Sequence, residues 1–427
     1  MTRITIVGLG YVGLPLACLC AEKGFKVFGL DIDKNKADLI NKNQSPIDDE
    51  YIINKLKNLQ NKIHATANVN ECIPVSDVVI VCVPTPIDRN NSPDLTALME
   101  SISTISKHIK QNNLLIIEST IYPGTIEEVI VPILKKQRFD AYKNDVFIAH
   151  CPERIDPGNK KWTIENLPRV IGGVTKEATK KAAEFYRSII EAEIVELSSV
   201  KSAEATKIME NTFRDVNIAF VNEMAKSFDK AGIDITEVIK GASTKPFAFM
   251  PHYPGAGVGG HCIPIDPYYL IEKAKQIGFN HQFLSLAREI NNSMPTYTVK
   301  LLENELKKLK KSIKGAKVGV LGLAYKANVD DTRESPAFEV INILKTKGAE
   351  VFIFDPHAKK GSNVNDLDEL LQKSDYIILV TDHYEFKNMD LNKLKKYKIL
   401  VIIDGRNCLD KEKIKQMGIL YHGIGRS

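Results

Sequence analysis

Short apolar runs alternate with amphipathic segments from the N-terminus to about residue 195. Apolar runs of this length are typical of strands buried in a parallel sheet, and the segments between them have helical periodicity. The alternation therefore predicts an α/β fold built on a doubly wound parallel sheet. The predicted strands are Ile4–Val7, Lys26–Leu30, Val78–Val83, Leu114–Glu118 and Val146–Ala149.

The pattern changes near residue 198, where helical periodicity replaces the strand-like runs. Helices are predicted over Ser202–Ala231 and Tyr268–Ile290, with a linking helix over Thr298–Lys311. Alternation returns at Lys317, with strands over Val318–Leu321, Val351–Phe354, Tyr376–Val380 and Leu400–Ile403. We expect an α/β domain over 1–197, an all-helical central domain over 198–312 and a second α/β domain over 313–427.

The composition is that of a globular protein, with 44% hydrophobic and 26% charged residues among 427. No apolar stretch reaches the roughly 18 residues of a membrane span, and no signal-peptide pattern opens the chain. We expect a cytoplasmic protein without a membrane or nucleic-acid partner, because the net charge is only +5 and the basic run 307–311 reads as a solvated helix face. Seven cysteines without a CxxC pair argue against a zinc site or disulfide framework, so no metal is expected.

A glycine-rich loop follows the first predicted strand and opens a helix predicted over Leu14–Lys23. Its GxGxxG pattern permits a tight turn, close approach of a pyrophosphate and close helix–sheet packing. Asp31, at the end of the second strand, would accept hydrogen bonds from ribose hydroxyls and repel a 2′-phosphate. The loop therefore predicts an NAD site rather than an NADP site, formed by Gly8, Gly10, Tyr11, Val12, Gly13 and Asp31.

Two further segments follow predicted strands of the first sheet. Residues 83–86 (Val-Pro-Thr-Pro) follow one strand, and residues 118–120 (Glu-Ser-Thr) close the next. Ligands of open α/β sheets bind outside the carboxyl ends of the strands, so we expect Thr85 and Thr120 to line the same edge.

The segment 255–266 contains the strongest signal of chemistry in the chain. Its glycines let the backbone pass close to a ligand, and they place Cys262 at the start of a predicted helix. A helix N-terminus lowers the pKa of a thiol and makes its thiolate a usable nucleophile. Asp266 follows one helical turn later.

Glu204, Lys207 and Asn211 are spaced to share one face of the first central helix. A lysine and an amide on one face can donate hydrogen bonds to a developing oxyanion. A lysine on a helix is more often solvated, so this role depends on the remaining motifs.

These residues, with others in the same order, make the chain resemble the UDP-glucose/GDP-mannose dehydrogenase family over nearly its whole length. The resemblance implies two Rossmann-like domains joined by an all-helical dimerisation domain, the first binding NAD and the last a UDP-sugar. The motifs are the glycine loop 7–15, Val-Pro-Thr-Pro, Glu-Ser-Thr, Cys-Pro-Glu-Arg at 151–154, Lys207 with Asn211, Gly-Gly-His-Cys at 259–262, Gly-Leu-Ala-Tyr-Lys at 322–326, Asp-Asp-Thr-Arg-Glu-Ser-Pro at 330–336 and Asp-Gly-Arg-Asn at 404–407.

The resemblance also implies a mechanism: twofold oxidation of the sugar C6 alcohol with two NAD⁺, through a thiohemiacetal and then a thioester on Cys262. Lys207 and Asn211 would stabilise the oxyanion, and Glu153 would be the general base for hydrolysis. Asp266 and Thr120 would position protons and water. Arg333 is assigned to the cofactor, and the substrate-binding set is Glu153, Arg154, Lys207, Asn211, Lys245, Tyr253, Gly255, Gly257, Gly259, Tyr325, Lys326 and Arg406.

Two departures from the UDP-glucose enzymes bear on the sugar. Pro157 stands where that pattern has a second glutamate, and Lys245 stands where it has an arginine from the neighbouring subunit. Both changes resemble the UDP-N-acetylhexosamine branch, and residues 154–159 with 262–269 favour UDP-N-acetylglucosamine (UDP-GlcNAc). UDP-N-acetylmannosamine (UDP-ManNAc) and UDP-glucose are the alternatives.

Three rival functions are considered: a catalytically silent NAD/UDP-binding regulator, a single-step alcohol dehydrogenase and a UDP-sugar epimerase. The first would not keep Cys262 with its supporting residues, the second would not need a cysteine, and the third needs a Tyr-x-x-x-Lys pair that is not found at the required place. We also expect a homodimer or higher oligomer, because the apolar stripes of the central helices exceed what the flanking domains can cover.

Overall fold

The computed structural model describes residues 2–47, 49–60, 62–88, 91–155 and 161–427. Pro157, one of the two departures that bear on the sugar, lies outside the described residues. The chain divides into two compact units. The first comprises Met1–Glu210 and Tyr268–Gly278, and the second comprises Asn211–Pro267 and Phe279–Ser427.

The first unit is built on an eight-stranded sheet in the order β3-β2-β1-β4-β5-β6-β7-β8. All neighbouring strands are parallel except β6 and β7. The strand order reverses beside β1, so the loop after β1 lies at a topological switch point. The strands are β1 Arg3–Val7, β2 Lys26–Leu30, β3 Ile63–Thr66, β4 Val78–Val81, β5 Leu114–Ile117, β6 Phe147–His150, β7 Arg169–Gly173 and β8 Ile194–Glu196.

Helices cover both faces of this sheet, and an apolar core lies on each face. Alternate residues of β4 enter opposite cores, because successive side chains of a strand point to opposite faces. The helices are α1 Gly13–Glu22, α2 Lys34–Asn41, α3 Glu50–Leu59, α4 Val69–Cys72, α5 Thr96–Ser106, α6 Val131–Lys136 and α7 Lys176–Arg187, with a π turn Ile126–Ile130 before α6 and 3₁₀ turns Ile73–Val75 and Ala141–Lys143.

The region that follows is helical without an intervening strand, as the periodicity predicts, but it contains five helices rather than the three expected. They are α8 Val200–Ala231, α9 Ile235–Ala242, α10 Asp266–Gln276, α11 Gln282–Asn292 and α12 Met294–Lys308. The single helix predicted over Tyr268–Ile290 is wrong: α10 ends before Gly278, whose φ of +80° stops the helix, and α11 starts afresh at Gln282. Among the described residues, no helix is long and apolar enough to cross a membrane.

The second unit contains a five-stranded, wholly parallel sheet in the order β10-β9-β11-β12-β13. Side chains of α9, α12 and the end of α8 join the core on one of its faces. Its elements are β9 Lys317–Leu321, α13 Pro336–Thr346, β10 Glu350–Phe354, a 3₁₀ turn Lys359–Gly361, α14 Leu367–Lys373, β11 Tyr376–Leu379, α15 Tyr384–Lys387, α16 Asn392–Lys396, β12 Val401–Asp404, α17 Lys411–Gln416 and β13 Leu420–Gly423.

The fold class is confirmed, with a mainly parallel N-terminal sheet, a helical centre and a parallel C-terminal sheet. The nine strands expected from the sequence are all present, with shifts of one or two residues at their ends. Four strands were missed. In three of them, β3, β7 and β13, histidine or glycine interrupts the apolar run, and the fourth, β8, has only three residues.

Candidate active site

The glycine loop connects β1 to α1 in a tight turn. Gly8 has a φ of +91°, and a Cβ there would lie 2.9 Å from the carbonyl oxygen of Cys82, so only glycine fits. The loop is held by the predicted acid: the N–H of Leu9 donates to Asp31 Oδ2 at 2.8 Å. The other carboxylate oxygen of Asp31 accepts from Asp33 N at 2.9 Å.

The same loop has the features that a dinucleotide pyrophosphate requires. A Cβ on Gly10 would meet nothing within 4 Å, so the backbone here borders open space. The N-cap residue of α1, Val12, provides no side-chain hydrogen bond to the first turn. Leu14 N donates to the carbonyl oxygen of Gly10 at 3.1 Å and Pro15 has no N–H, so the N–H groups ahead of Leu14 and the helix dipole are the features suited to phosphate oxygens. Tyr11 lies exposed on this loop, and Gly13 is buried against Gly8.

Thr85 and Thr120 meet at the edge of the sheet, as their positions after β4 and β5 predict. The hydroxyl of Thr85 donates to the carbonyl oxygen of Thr120 at 2.7 Å. Tyr269 of α10 donates from its hydroxyl to the carbonyl oxygen of Thr85 at 2.5 Å. The Thr85 hydroxyl therefore holds two loops together, which the sequence did not predict.

Glu153 is buried just after β6, and its carboxylate accepts hydrogen bonds from three donors. Its Oε1 accepts from the N–H groups of Arg154 at 2.6 Å and Ile155 at 2.8 Å. Its Oε2 accepts from Nη1 of Arg169 at 2.6 Å. The side chain of Arg154 pairs with Glu210 of α8, Nη2 lying 2.7 Å from Oε1. Sequence reasoning missed Arg169, since nothing but its place before an apolar run distinguishes it.

Lys207 and Asn211 lie one turn apart on α8, whereas Glu204 has a different partner. Both carboxylate oxygens of Glu204 accept backbone N–H groups at the start of the π turn, from Gly124 and, at 2.8 Å, from Ile126. Burial raises the pKa of Glu204 to about 7. Glu204 caps a helix rather than joining the pair, which explains why the shared face includes an acid.

Asn211 and Asp266 are directly connected within the second unit. The Asn211 Nδ2 donates to Asp266 Oδ2 at 2.6 Å, and Asp266 is the buried first residue of α10. The carbonyl oxygen of Cys262 accepts from Asp266 N at 2.8 Å and Ile265 N at 3.1 Å. Cys262 thus occupies the turn that leads into α10, and it is the exposed cysteine of the chain, as an accessible nucleophile requires.

The glycines before Cys262 serve protein packing. At Gly259, which is also expected to border the substrate, a Cβ would lie 2.7 Å from Cβ of Tyr325. Gly260 has a φ of +88°, and its Cβ would lie 2.8 Å from the Tyr325 ring. Gly260 N also donates to the carbonyl oxygen of Arg333 at 3.0 Å. Since protein atoms fill the space, these glycines let the cysteine loop pack against residues 325–336.

Arg406 lies beneath the same loop. Its Nε donates to the carbonyl oxygen of Val380 at 2.8 Å and its Nη2 to that of Tyr325 at 3.2 Å. A Cβ on Gly255 would lie 3.0 Å from Nη1 of Arg406, so the guanidinium borders the glycine segment. Burial lowers the pKa of Arg406.

The other predicted substrate and cofactor residues of the second unit are spread more widely. Arg333 forms a two-point pair with Asp331, and that hydrogen bond raises the pKa of Arg333. Lys326 is partly exposed beside Tyr325, and Gly257 is buried against Pro336. Lys245 and Tyr253 lie exposed before the glycine segment.

Three family models match successive parts of the chain. Residues 2–190 match the NAD binding domain of the UDP-glucose/GDP-mannose dehydrogenase family, residues 201–293 its central domain and residues 319–411 its UDP binding domain. The three matched segments correspond to the first sheet with its helices, the helical centre and the second sheet with its helices.

Full-length relatives carry two different substrate names. A protein from Methanococcus maripaludis, named UDP-N-acetyl-D-mannosamine dehydrogenase, is 38% identical over 99% of this chain and 97% of its own length. One from Pseudomonas aeruginosa, named UDP-N-acetyl-D-glucosamine 6-dehydrogenase, is 37% identical over 96% and 98%. A solved structure of a UDP-D-ManNAc dehydrogenase from Pyrococcus horikoshii covers 100% of this chain and 99% of its own, with 37% identity and a TM-score of 0.93.

Proposed function

The chain belongs to the UDP-glucose/GDP-mannose dehydrogenase family, and we propose that it oxidises C6 of a UDP-N-acetylhexosamine twice, to the uronic acid, with Cys262 as covalent nucleophile. It is a nucleotide-sugar dehydrogenase with an NAD-binding domain. The observation that carries the covalent step is Cys262 itself, exposed in the turn into α10 with the Asp266–Asn211 pair one turn later. NAD⁺, when bound, accepts one hydride in each oxidation.

The first oxidation converts the C6 alcohol to an aldehyde, with one hydride and one proton leaving. The Cys262 sulfur then attacks the aldehyde carbon, and the aldehyde oxygen takes up the proton to give a thiohemiacetal. The second oxidation removes the C6 hydride and the hydroxyl proton and leaves a thioester. Binding the aldehyde covalently keeps it from escaping between the two oxidations.

Lys207 and Asn211 stabilise the negative oxygen that forms when sulfur or water attacks C6. Asp266 holds the Asn211 amide by accepting from Nδ2 at 2.6 Å, so the donor is oriented before the reaction begins. Fixed donors of this kind are effective because they need no reorganisation as charge develops. Thr120 positions protons and water in the same scheme.

Hydrolysis ends the cycle. Glu153 accepts a proton from water as the water oxygen attacks the thioester carbon. The C6–S bond then breaks, the carboxylic acid leaves and Cys262 returns as a thiolate. A buried carboxylate with a fixed orientation is suited to this base role.

The UDP moiety is bound by the second sheet's loops in this proposal. Tyr325 and Lys326 contact the UDP-sugar, and Arg406 binds the phosphates, since an arginine presents paired donors to phosphate oxygens. Arg333 contacts the cofactor. Arg154, Lys245, Tyr253, Gly255, Gly257 and Gly259 complete the proposed substrate set. Asp31 gives the preference for NAD⁺ over NADP⁺.

UDP-GlcNAc is the substrate favoured by the motifs 154–159 and 262–269, and the Pseudomonas relative bears that name. UDP-ManNAc is the second candidate, because the Methanococcus relative and the Pyrococcus structure carry that name. Purified protein with NAD⁺ and a panel of UDP-sugars decides, with NADH followed by absorbance. We expect two NADH per acid and the highest kcat/KM for UDP-GlcNAc.

A higher kcat/KM for UDP-ManNAc would refute UDP-GlcNAc as the preferred substrate but still support a UDP-N-acetylhexosamine dehydrogenase. A higher kcat/KM for UDP-glucose would refute the assignment to UDP-N-acetylhexosamines. One NADH per sugar with accumulation of the aldehyde would refute the twofold oxidation, whichever sugar is used.

We also propose that the protein forms a homodimer or higher oligomer through its central helices. Met209, Phe213 and Phe220 are exposed on α8 at 66%, 44% and 54%. Their spacing places them on one face of the helix, which is a surface suited to a second copy. Sedimentation at micromolar concentration is expected to give at least a dimer, and a monomer would contradict the proposal.

A further inference from the structure

Arg169, on β7, has no role in the mechanism so far, although it lies at the centre of a buried charge cluster. The cluster consists of Arg169, Glu153, Glu118 and Tyr186, each 3% exposed or less. Nη1 of Arg169 lies 2.6 Å from Glu153 Oε2 and 3.8 Å from Glu118 Oε1. An ion cluster taken fully out of water is costly unless its geometry is well satisfied.

Few side-chain nitrogens of Arg169 form a hydrogen bond within the described part of the chain. Among the described residues, its Nε and Nη2 have no hydrogen-bond partner, and its side-chain hydrogen bond goes to Glu153. Each buried unpaired donor has lost its hydrogen bonds to water without a replacement, which destabilises the folded state. An arginine retained only for packing could be replaced by an apolar residue without that cost, so the single bond to Glu153 points to a function.

The two carboxylates of the cluster are not equivalent. Glu153 accepts hydrogen bonds from three N–H donors, on Arg169, Arg154 and Ile155, which fix the orientation of its carboxylate. Glu118 accepts from the Tyr186 hydroxyl, and the Cys82 sulfur lies 3.7 Å from its Oε2. Burial raises the pKa of Glu118 to about 7. Arg169 Nη1 lies 2.6 Å from Glu153 but 3.8 Å from Glu118, so Glu153 is the carboxylate that Arg169 orients directly.

We propose that Arg169 is a positioning residue for hydrolysis, holding the Glu153 carboxylate as an oriented anion. The inference rests on the proposed function, in which Glu153 takes the proton of the attacking water. Arg169 contacts neither the water nor the sugar in this scheme. It acts on the one step that Glu153 assists, in which the water O–H and the C6–S bonds break and the new C6–O bond forms.

The test replaces Arg169 by lysine, which keeps the charge but loses the planar donor geometry, and by glutamine. Stopped-flow kinetics with NAD⁺ and UDP-N-acetylhexosamine in excess over the protein separate the NADH burst from the slower release of the acid. We expect acid release to slow by about tenfold to a hundredfold, while the NADH steps change less than about threefold. Both rates are obtained per active site from the NADH burst amplitude, so a partly folded preparation remains informative.

The decisive readout is a double-mutant cycle with Glu153→Gln. Because Arg169 acts through Glu153, Arg169→Lys is expected to add no further slowing when Glu153 is already glutamine. The acyl-enzyme on the Cys262 peptide should accumulate in each single variant and be detected by mass. Arg187→Gln is the matched control, since Arg187 forms an exposed ion pair with Glu196 in the same unit.

Two results would overturn the inference: unchanged acid release in Arg169→Lys and Arg169→Gln, or equal slowing by Arg169→Lys with and without Glu153. A structural role alone would lower NAD⁺ binding and thermal stability and slow all steps together. Failure of the proposed function looks different, because the wild-type protein itself would then release no acid from any UDP-N-acetylhexosamine.

Discussion

The first strands of the two sheets, β1 and β9, are followed by the same turn and then by different loops. Gly8 and Gly322 both have positive φ, +91° and +96°, and each donates its N–H to the last residue of the neighbouring strand, at 2.8 and 2.9 Å. After Gly8 the chain enters α1 at Gly13. After Gly322 it travels to Pro336 before α13 begins.

The two helix starts differ in the same direction. Val12, before α1, offers no side-chain cap, whereas Ser335, before α13, accepts from Ala337 N at 3.3 Å. The N–H groups ahead of Leu14 at the start of α1 are therefore suited to a phosphate, whereas a first-turn N–H of α13 is bonded by the Ser335 side chain. The long second loop instead packs Tyr325 and Glu334 against the glycines before Cys262.

The acids at the ends of the second strands complete the comparison. Asp31 accepts one N–H of its glycine loop, from Leu9. Asp355 accepts two, from Leu323 at 2.6 Å and Ala324 at 2.9 Å, and its Oδ2 also lies 3.0 Å from Nε2 of buried His383. The same turn thus leads to a helix start without a side-chain cap in one sheet and is supported internally by a buried acid in the other.

The largest expected effect comes from Cys262→Ala. It tests whether the cysteine loop, against which the long loop after Gly322 packs, carries the nucleophile. We expect acid formation to fall by at least about a thousandfold, because no thioester can form. NAD⁺ and UDP-sugar affinities should change less than about threefold, since the phosphate-binding groups lie elsewhere. Cys408→Ala serves as the control thiol. Near-normal acid formation by Cys262→Ala would replace the covalent route by a hydrated aldehyde.

Asp355→Asn is expected to lower the free energy of unfolding by about 3 kcal/mol, because an amide nitrogen cannot accept the buried N–H groups that now bond the carboxylate. Urea unfolding of Asp355→Asn and Asp31→Asn measures the contrast between the sheets. An equal loss in both variants would show that the two acids do the same structural work.

The repeat of the α/β pattern could be predicted because buried strands and glycine turns are local signals. Residues 8–13 and 31 also meet as expected, since the turn and the end of β2 lie at adjacent strand ends. The sequence could not show that Tyr325 fills the space beside Gly260, because that contact joins segments distant along the chain. Nor could it show Arg169 beside Glu153, since burial of a charge depends on tertiary packing rather than on spacing.

The edge strands β13 and β8 show a third difference between the sheets. A residue of β13 forms hydrogen bonds with two acidic side chains. His422 of β13 lies between Glu305 and Asp229, with its ring nitrogens 2.8 Å from a carboxylate oxygen of each. Burial opposes the charged ring, but hydrogen bonds to Asp229 and Glu305 prevail and raise the pKa of His422 to about 9. The last two residues of β8, by contrast, are exposed.

Because the folded pKa lies above the ordinary value of about 6.5, this stabilisation is complete below pH ~6.5 and is lost as the pH rises through about 9. His422→Gln should therefore lower the unfolding free energy by about 2 kcal/mol at pH 6 and by little at pH 9.5. Lys308 contacts Glu305 and Tyr297 contacts Asp229, and neither residue is substituted in this experiment. A loss that is equal at both pH values would assign the effect to packing.

The smallest expected effect is the one that separates Asp31 most clearly from Asp355. Asp31→Asn removes a charge that would oppose the 2′-phosphate of NADP⁺, so we expect the ratio of kcat/KM for NAD⁺ over NADP⁺ to fall by about tenfold. The unfolding free energy should fall by less than about 1 kcal/mol, because one loop N–H depends on Asp31 where two depend on Asp355. Asp33→Asn, two residues further on and at the N-cap of α2, is the control for loss of a nearby negative charge. A cofactor ratio that stays constant while stability falls as far as in Asp355→Asn would make Asp31 a structural acid, and the two loops would then differ in length alone.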